Sequence, residues 1–245
     1  MFSFLKNHPF AVQAFFKSST VLTFAVTKSQ LQALLPPCLT LDEFNGYGFI
    51  AMAMVKTTAL RPKGFPKFLG NNFYLIGYRI FVRYINENGK SLRGLYIIKS
   101  ETDKKKMEWL GNIFTKYSYI TTDITEAIND EVITIVSKRS DFEISFKVGN
   151  ENSALPQDSL FKDFKEARRF AGPLPFTFSY NSTTKQVLII EGVREKWIPK
   201  PVEVISHNIS FIKNLGFTNI KLANAFVVNN IPYYWKKGKK EKWKG

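Results

Sequence analysis

Four cationic side chains stand close together in the sequence, where they could bind an anion. Arg79, Arg83, Arg93 and Lys99 all fall within residues 72–103. A guanidinium group binds a carboxylate through two parallel hydrogen bonds, and a lysine amine becomes a nucleophile when a desolvated pocket lowers its pKa. Whether the four groups can act together depends on the strands that carry them.

The stretch that carries them is predicted to be a long β-hairpin. Its first half is rich in aromatic and β-branched residues, and Asn88-Gly89 is the strongest short-range signal for a hairpin turn. A two-residue loop would place the first two cationic residues on the opposite face from the last two. We favour a three-residue loop that starts at Glu87 and has Gly89 in the left-handed conformation, because it pairs Asn86 with Lys90 and brings all four cations to one face.

The favoured register divides the hairpin into two unlike faces. The cationic face also carries Phe81, Leu95 and Ile97. A solvated outer face of a sheet is the more common explanation for such a mixture, because arginine and lysine are rarely buried without partners. The alternative is the wall of an anion-binding cavity. The other face carries no charge and consists of Tyr74, Ile76, Tyr78, Ile80, Val82, Tyr84, Leu92, Tyr96 and Ile98.

Other catalytic chemistries lack their residues in this chain. There is no phosphate-cradling Gly-x-x-x-x-Gly-Lys-Ser/Thr loop, no dinucleotide-binding glycine fingerprint and no Gly-x-Ser-x-Gly nucleophile elbow. Cys38 is the single cysteine, and His8 and His207 are the two histidines, too few for a site built from Cys or His ligands. We therefore expect no metal and no cofactor, and arginine and lysine remain as the functional groups.

Part of the positive charge is concentrated at one end of the chain. The formal net charge is +15, and six lysines lie within the last ten residues. We expect residues 1–235 to form a single β-barrel domain and residues 236–245 to form a frayed Lys-rich tail. Because the remaining charge is diffuse, we expect no nucleic-acid partner.

The composition also allows predictions of the location and oligomeric state of the protein. No apolar run reaches the roughly 18 residues of a membrane span. A single cysteine suits a reducing compartment, so the sequence predicts a cytoplasmic protein. Phe occurs 23 times, and an exposed Phe-rich surface would suit a homo-oligomer.

The hydrophobic pattern predicts a mainly β fold with inserted short helices. Period-2 segments indicate about nine or ten strands, including separate strands at residues 10–17 and 20–26. Helical spacing indicates helices at residues 28–35, 104–116 and 158–170, and Ser206 can cap a further short helix that ends at Lys213. No break in composition marks a second domain.

Several stretches resemble the acetoacetate decarboxylase superfamily. Residues 19–57 contain a strand, a short helix, Leu-Leu-Pro-Pro-x-Leu and a strand that ends in Ala-Met-Ala-Met. Residues 8–119, with GYRIFVR, RGLYIIKSETD and GNIFTKY, are similar to the uncharacterised YqjF-like branch of that superfamily. From residue 120 onward the similarity lies mainly in strand order. The resemblance implies a closed, conical barrel of antiparallel strands with a ligand cavity inside and helices packed outside.

The resemblance also implies where a decarboxylase would keep its catalytic groups. In that family the first lysine of a Lys-Lys pair forms a Schiff base with a β-keto acid. The pair aligns here with Ser100 and Glu101, and Lys99 aligns with the preceding proline. A one-residue slip would restore Lys99 but turn its side chain to the other face. An acidic residue of the family aligns with Arg79, and an arginine aligns with Lys17.

Three functions follow, in order of preference. The first is an uncharacterised acetoacetate decarboxylase-like protein that binds a small anionic, carboxylated ligand in the barrel cavity without the Schiff-base lysine pair. The second is a lyase that decarboxylates a β-keto acid through a Schiff base on Lys99. The third is a basic protein that binds an anionic surface or nucleic acid. The candidate ligand-binding residues are Arg79, Arg83, Arg93, Lys99, Ser100 and Lys17.

Overall fold

The computed structural model describes residues 5–150, 153–195 and 197–245. The chain is mainly β with short helices, as the hydrophobic pattern predicts. The α-helices are α1 (Lys28–Gln32), α2 (Lys105–Phe114), α3 (Phe164–Ala171) and α4 (Ser210–Lys213). The strands are β1 (Val12–Thr27), β2 (Thr40–Leu41), β3 (Tyr47–Pro62), β4 (Asn71–Ile85), β5 (Ser91–Thr102), β6 (Tyr119–Thr121), β7 (Thr125–Asn129), β8 (Val132–Ser137), β9 (Phe142–Val148), β10 (Phe176–Asn181), β11 (Gln186–Arg194), β12 (Lys200–Ile209), β13 (Lys221–Trp235) and β14 (Lys239–Lys242).

The long strands lie side by side in one sheet. Its order is β14-β11-β10-β5-β4-β3-β1-β13-β12-β9-β8-β7, with β2 paired to β4 and β6 paired to β5. β11 also pairs with β13, where Gly192 lies opposite Trp235 and Arg194 lies opposite Tyr233. The hydrogen-bonded path from β11 through β10, β5, β4, β3, β1 and β13 therefore leads back to β11.

The central strands bury both of their faces, which explains their nearly continuous apolar sequences. On one face, side chains such as Leu22 and Met52 pack in a core that includes residues of β9 and β12. On the other face, Val21, Phe49 and Phe81 pack in a second core that includes residues of α3. In β3, every residue from Gly48 to Val55 is buried.

The hairpin of β4 and β5 has the favoured three-residue loop. The amide of Asn86 donates to the carbonyl oxygen of Lys90 at 3.0 Å, and Gly89 has a φ of +74°. The uncharged face of the hairpin is in the first core, as the register predicts.

A register shift of one residue changes the far end of the hairpin. Arg79 pairs with Ile97, but its neighbour Tyr78 pairs with Lys99. Because a shift of one residue reverses the direction of the side chains, Lys99 lies on the opposite face from Arg79. The prediction that all four cations share a face is therefore wrong for Lys99, and Ser100 shares the face of Arg79 instead.

Tertiary pairing overrides several local predictions. Residues 12–27 form the single strand β1, because β3 and β13 pair along both halves of it. The helix expected to start at Ser206 starts at Ser210, since β12 pairs with β9 as far as Ile209 and includes His207.

The lysine-rich C-terminus takes part in the sheet. Residues 239–242 form β14, which pairs with β11, so the expectation of a frayed end is wrong for this segment. Glu241 is buried there and accepts hydrogen bonds from the Tyr84 hydroxyl at 3.2 Å and from the Glu87 amide at 2.9 Å. One acidic residue among the lysines thus attaches the segment to the tip of the β4–β5 hairpin.

Candidate functional site

A cavity of about 390 Å³ lies against the face of the sheet that carries Arg79. Strands β1, β3, β4, β5, β10, β11 and β13 all contribute lining side chains, and α2 and residues 8–10 lie at its border. Small residues help to create the space, because Ser19, Ala51, Gly77 and Ser100 face it. A Cβ added at Gly77 would meet no heavy atom within 4 Å.

The lining is mostly aromatic and aliphatic. Val55, Leu75, Ile97, Met107 and Leu110 are among the side chains that face the cavity. Among the described residues, no Lys, Asp, Glu or Cys lines it. The cavity therefore contains positively charged groups and no acidic group to balance them. The basic side chains among the described lining residues are His8, Arg61, Arg79 and Arg194.

Among the three arginines of the lining, Arg79 has no side-chain partner in the described residues. It lies in the middle of β4, is partly accessible, and makes no hydrogen bond or ion pair with a described residue. Burial lowers the pKa of the guanidinium to about 10, and electrostatic interactions with Tyr233 and Tyr119 act in the opposite direction. The group stays charged at neutral pH, and its accessible surface faces the cavity.

The two other arginines are bonded to the protein. Arg61 donates to two backbone carbonyl oxygens, at 2.7 and 2.8 Å. Arg194 donates to the carbonyl oxygen of Pro173 and to the hydroxyl of Tyr233, and its guanidinium lies 5.2 Å from the ring centre of Trp197. These contacts hold both groups at the wall without neutralising their charges, and Arg79 is the lining arginine that has no hydrogen bond to a described residue.

His8 is held at one border of the cavity by its backbone. Its amide donates to the carbonyl oxygen of Phe114 at 3.2 Å, and its carbonyl oxygen accepts from the amide of Gly238 at 2.9 Å. Burial lowers the pKa of the imidazole, so the ring is neutral at neutral pH. His8 therefore adds no charge beside Arg79.

Two buried phenols also belong to the lining. Burial raises the pKa values of Tyr117 and Tyr119, so both hydroxyl groups stay protonated. The Tyr117 oxygen lies 2.8 Å from the Thr177 hydroxyl. Neutral hydroxyl groups can donate hydrogen bonds to an anion without a charge of their own.

Arg83 and Arg93 share the sheet face of Arg79 but have an internal partner. Both bind Asp42, whose side chain is fully buried: Arg83 Nε lies 2.7 Å from Oδ1, and Arg93 Nε lies 2.6 Å from Oδ2. Neither arginine lines the cavity. The structure therefore gives these two candidate binding residues an ion pair within the fold.

Lys99 and Lys17 also lie away from the cavity. Lys99 Nζ is 2.6 Å from Glu101 Oε1 and 4.7 Å from the ring centre of Phe211, on the other side of the sheet. Lys17 is exposed on β1. Of the six candidate binding residues, the structure brings Arg79 and Ser100 together at the cavity.

Three residues near Arg79 were missed in the sequence. Tyr119, Arg194 and Tyr233 come from β6, β11 and β13, and only long-range pairing brings them together. Tyr119 falls inside the stretch that resembles the YqjF-like branch, and Tyr233 alternates with Ile231 and Trp235, which could have marked an inward face. Arg194 carries no such signal.

The described part of the chain shows neither a metal-ion site nor a membrane-spanning helix. Within it, no group of three or more His, Cys, Asp or Glu side chains is arranged to hold a metal ion. None of its helices combines the length and apolar character needed to cross a bilayer.

Comparisons with known proteins agree with the geometry at the level of fold. The model of the DUF2071 family, described as an uncharacterised conserved protein family, matches residues 14–238. The uncharacterised protein YqjF of Bacillus subtilis is 31% identical over 141 residues, which is 55% of this chain and 56% of that protein. The match thus spans little more than half the length of that relative.

Solved structures with this fold include decarboxylases of low sequence identity. Acetoacetate decarboxylase from Legionella pneumophila has a TM-score of 0.61 at 14% identity, over 95% of this chain and 88% of that one. An acetoacetate decarboxylase-like enzyme from Sphingomonas wittichii has a TM-score of 0.59 at 12% identity, over 97% and 94% of the two chains. These likenesses establish the fold and leave the chemistry to the site.

Proposed function

The chain belongs to the DUF2071 family of uncharacterised conserved proteins, and we propose that it binds a small carboxylated ligand in the cavity through Arg79. One observation carries this proposal: the Arg79 guanidinium faces the cavity without a hydrogen-bonding or ion-pair partner among the described residues. An unpaired buried charge is costly to the folded state. A carboxylate would remove that cost by forming two charge-assisted hydrogen bonds.

The surroundings of Arg79 support an anionic ligand over a neutral one. No acidic side chain of the described residues lines the cavity, so no carboxylate of the protein competes for the guanidinium. Ser100, Tyr119 and Tyr233 lie in the same lining, and their hydroxyl groups can donate hydrogen bonds to an anion. Together these groups favour one anionic end of a ligand at the centre of β4.

The closed, conical barrel expected from the resemblance is part of this proposal. It is supported by the pairing of β11 with β13, which returns the strand path to its start. It is also supported by the cavity lining, to which all seven strands of that path contribute. A closed wall would exclude water and strengthen the interaction of Arg79 with a carboxylate.

The Schiff-base alternative finds less support in the geometry. Lys99 is paired with Glu101 on the far side of the sheet, and no described lysine lines the cavity. Incubation with acetoacetate and borohydride, followed by mass analysis, is expected to give no adduct at Lys99. A stable adduct at Lys99 would restore the lyase hypothesis and count against ligand binding without Schiff-base chemistry.

The charge-driven alternative rests on the C-terminal lysines. Binding of a nucleic acid or an anionic surface through residues 236–245 would weaken steeply with salt. Two of these lysines already form ion pairs, Lys236 with Glu191 and Lys239 with Glu87 and Glu241. The unpaired cation in the cavity therefore favours the small ligand.

Calorimetric titration with simple carboxylates tests the proposed function. Hexanoate, benzoate, pyruvate and acetoacetate are the probes, and at least one should bind to the unmodified protein. Arg79→Met should weaken that binding by about 10- to 100-fold, the range expected for a lost hydrogen-bonded charge. Arg139→Met is the matched control, since Arg139 is exposed and away from the cavity, and it should bind as the unmodified protein does.

The proposal fails under two outcomes. The first is that none of the four acids binds. The second is that Arg79→Met and Arg139→Met bind the same acid equally well, which would place the site elsewhere on this basic protein.

A further inference from the structure

We infer that the ligand is a monocarboxylic acid with an extended apolar body, an inference that rests on the proposed function. Arg79 is the lining arginine without a hydrogen bond to a described residue, so the carboxylate is placed there. Arg61 and Arg194 keep their charges at the wall, where they donate to neutral oxygens. The side chains that extend from Arg79 along β4 and α2 are apolar, so a second anionic group buried among them would lack a partner, which is strongly unfavourable.

The lining on one side of Arg79 defines the body of the ligand. Along β4, Gly77, Leu75 and Phe73 face the cavity in succession, and α2 presents Met107 and Leu110 to it. Leu75 and Leu110 keep accessible apolar surface there although they lie within the fold. An aliphatic or aromatic chain that covered this surface would remove it from water, which is favourable by about 25 cal/mol per Å².

The size of the cavity sets the length of that body. A volume of about 390 Å³ corresponds to about thirteen water molecules at roughly 30 Å³ each. A short keto acid would therefore leave about half of the space as water against apolar side chains. A carboxylic acid of about eight to ten carbons would fill it.

Gly77 provides the passage from the carboxylate end to the apolar end. It lies two residues before Arg79 on the same face of β4, and a Cβ there would meet open space. The Cβ of a larger side chain at this position would enter the space beside the guanidinium without a clash. The position thus allows the apolar end to be blocked while Arg79 is retained.

A homologous series of acids tests the inference by calorimetric titration. Butanoate, hexanoate, octanoate and decanoate should bind with an affinity that rises about fourfold per added methylene, the factor that corresponds to ~0.8 kcal/mol. The rise should end at octanoate or decanoate, where the cavity is full. Octanedioate, with the length of octanoate and a second carboxylate, should bind at least tenfold more weakly than octanoate.

Variants at Gly77 locate the apolar body in the cavity. Gly77→Leu should weaken octanoate binding much more than butanoate binding, because the added side chain takes the space of the chain and not that of the carboxylate. Gly77→Ala is the milder variant and should reduce the affinity for octanoate less. Thermal unfolding of both variants verifies that they fold.

The outcomes distinguish failure of the inferred apolar body from failure of the binding role of Arg79. Equal affinity for butanoate and octanoate, tighter binding of pyruvate or octanedioate, or Gly77→Leu binding octanoate normally would overturn the apolar body and leave the role of Arg79 intact. Failure of every acid to bind would overturn both. A chain-length effect that persists in Arg79→Met would show adsorption of the acids elsewhere and would also reject the inference.

Discussion

Arg79 and the pair Arg83 and Arg93 occupy the same face of one hairpin in opposite electrostatic settings. Arg83 follows Arg79 by four residues on β4, roughly 13 Å along the strand, and Arg93 lies opposite Arg83 on β5. The pair encloses the buried carboxylate of Asp42. Arg79 faces a cavity in which no described residue provides a negative charge.

One cationic face of a sheet can therefore contain both arginines that stabilise the fold and an arginine available for binding. Where the fold needs a buried charge, it supplies the counter-charge from a neighbouring segment, as Asp42 does just after β2. Where the fold leaves a charge unpaired, the folded protein is less stable than it could be, and such positions are typical of binding sites. An arginine therefore belongs to the internal framework at the first place and to a candidate binding site at the second.

The largest expected change in stability is for a substitution of Arg93, which is paired with Asp42. Arg93→Met removes one of the two partners of the buried Asp42 carboxylate and a hydrogen bond to the carbonyl oxygen of Phe170 at 3.0 Å. We expect it to lower the free energy of unfolding by roughly 2–4 kcal/mol, somewhat below the usual loss for a broken buried pair because Arg83 remains. Chemical denaturation monitored by circular dichroism measures the change. No loss of stability would mean that the pairing with Asp42 is dispensable.

Substitution of the unpaired Arg79 by methionine should change the free energy of unfolding in the opposite direction. Arg79→Met replaces a partly buried, unpaired cation with an apolar side chain of similar length, so we expect the unfolding free energy of the ligand-free protein to rise by roughly 1–2 kcal/mol. Because folding lowers the pKa of Arg79 to about 10, the cost of the charge is fully present below that pH and declines as the pH rises above it. Denaturation at pH 7 thus measures the full effect.

A loss of stability in Arg79→Met would contradict this picture. It would assign Arg79 to the internal framework, alongside Arg83 and Arg93. Arg139→Met again serves as the control, and its unfolding free energy should change by less than about 0.5 kcal/mol, as is usual at exposed positions.

Much of the hairpin could be predicted from its residues. The Asn88-Gly89 signal fixed the loop, and the loop fixed which residues pair next to it. The register shift beside Arg79 has no comparable signal, since no glycine or proline marks it in the Leu95 to Lys99 segment. Pattern alone therefore placed Lys99 on the wrong face, and alignment with the decarboxylase family was needed to single out Ser100.

The rest of the site depends on contacts between distant parts of the chain. Tyr119, Arg194 and Tyr233 meet because β6 joins β5 and β11 joins β13, and neither pairing has a local sequence signature. The absence of a carboxylate near Arg79 is equally non-local, because it depends on every strand around the cavity. The same limit applies to β14, where the buried Glu241 accepts hydrogen bonds from distant residues and pairs with Lys239, which offsets repulsion among the lysines.

The smallest effect, at Gly77, tests whether the space beside Arg79 is empty in the folded protein. A glycine within a strand costs about 0.5–1 kcal/mol relative to alanine, because it loses more backbone freedom on folding. Since the added Cβ would meet no atom within 4 Å, Gly77→Ala should raise the unfolding free energy by about that amount. Gly94→Ala in the same hairpin is the matched contrast, because its Cβ would come within 2.5 Å of the Phe176 carbonyl oxygen and should destabilise the fold. If both substitutions destabilised equally, the space beside Arg79 would be packed, and a ligand could not reach the guanidinium by that side.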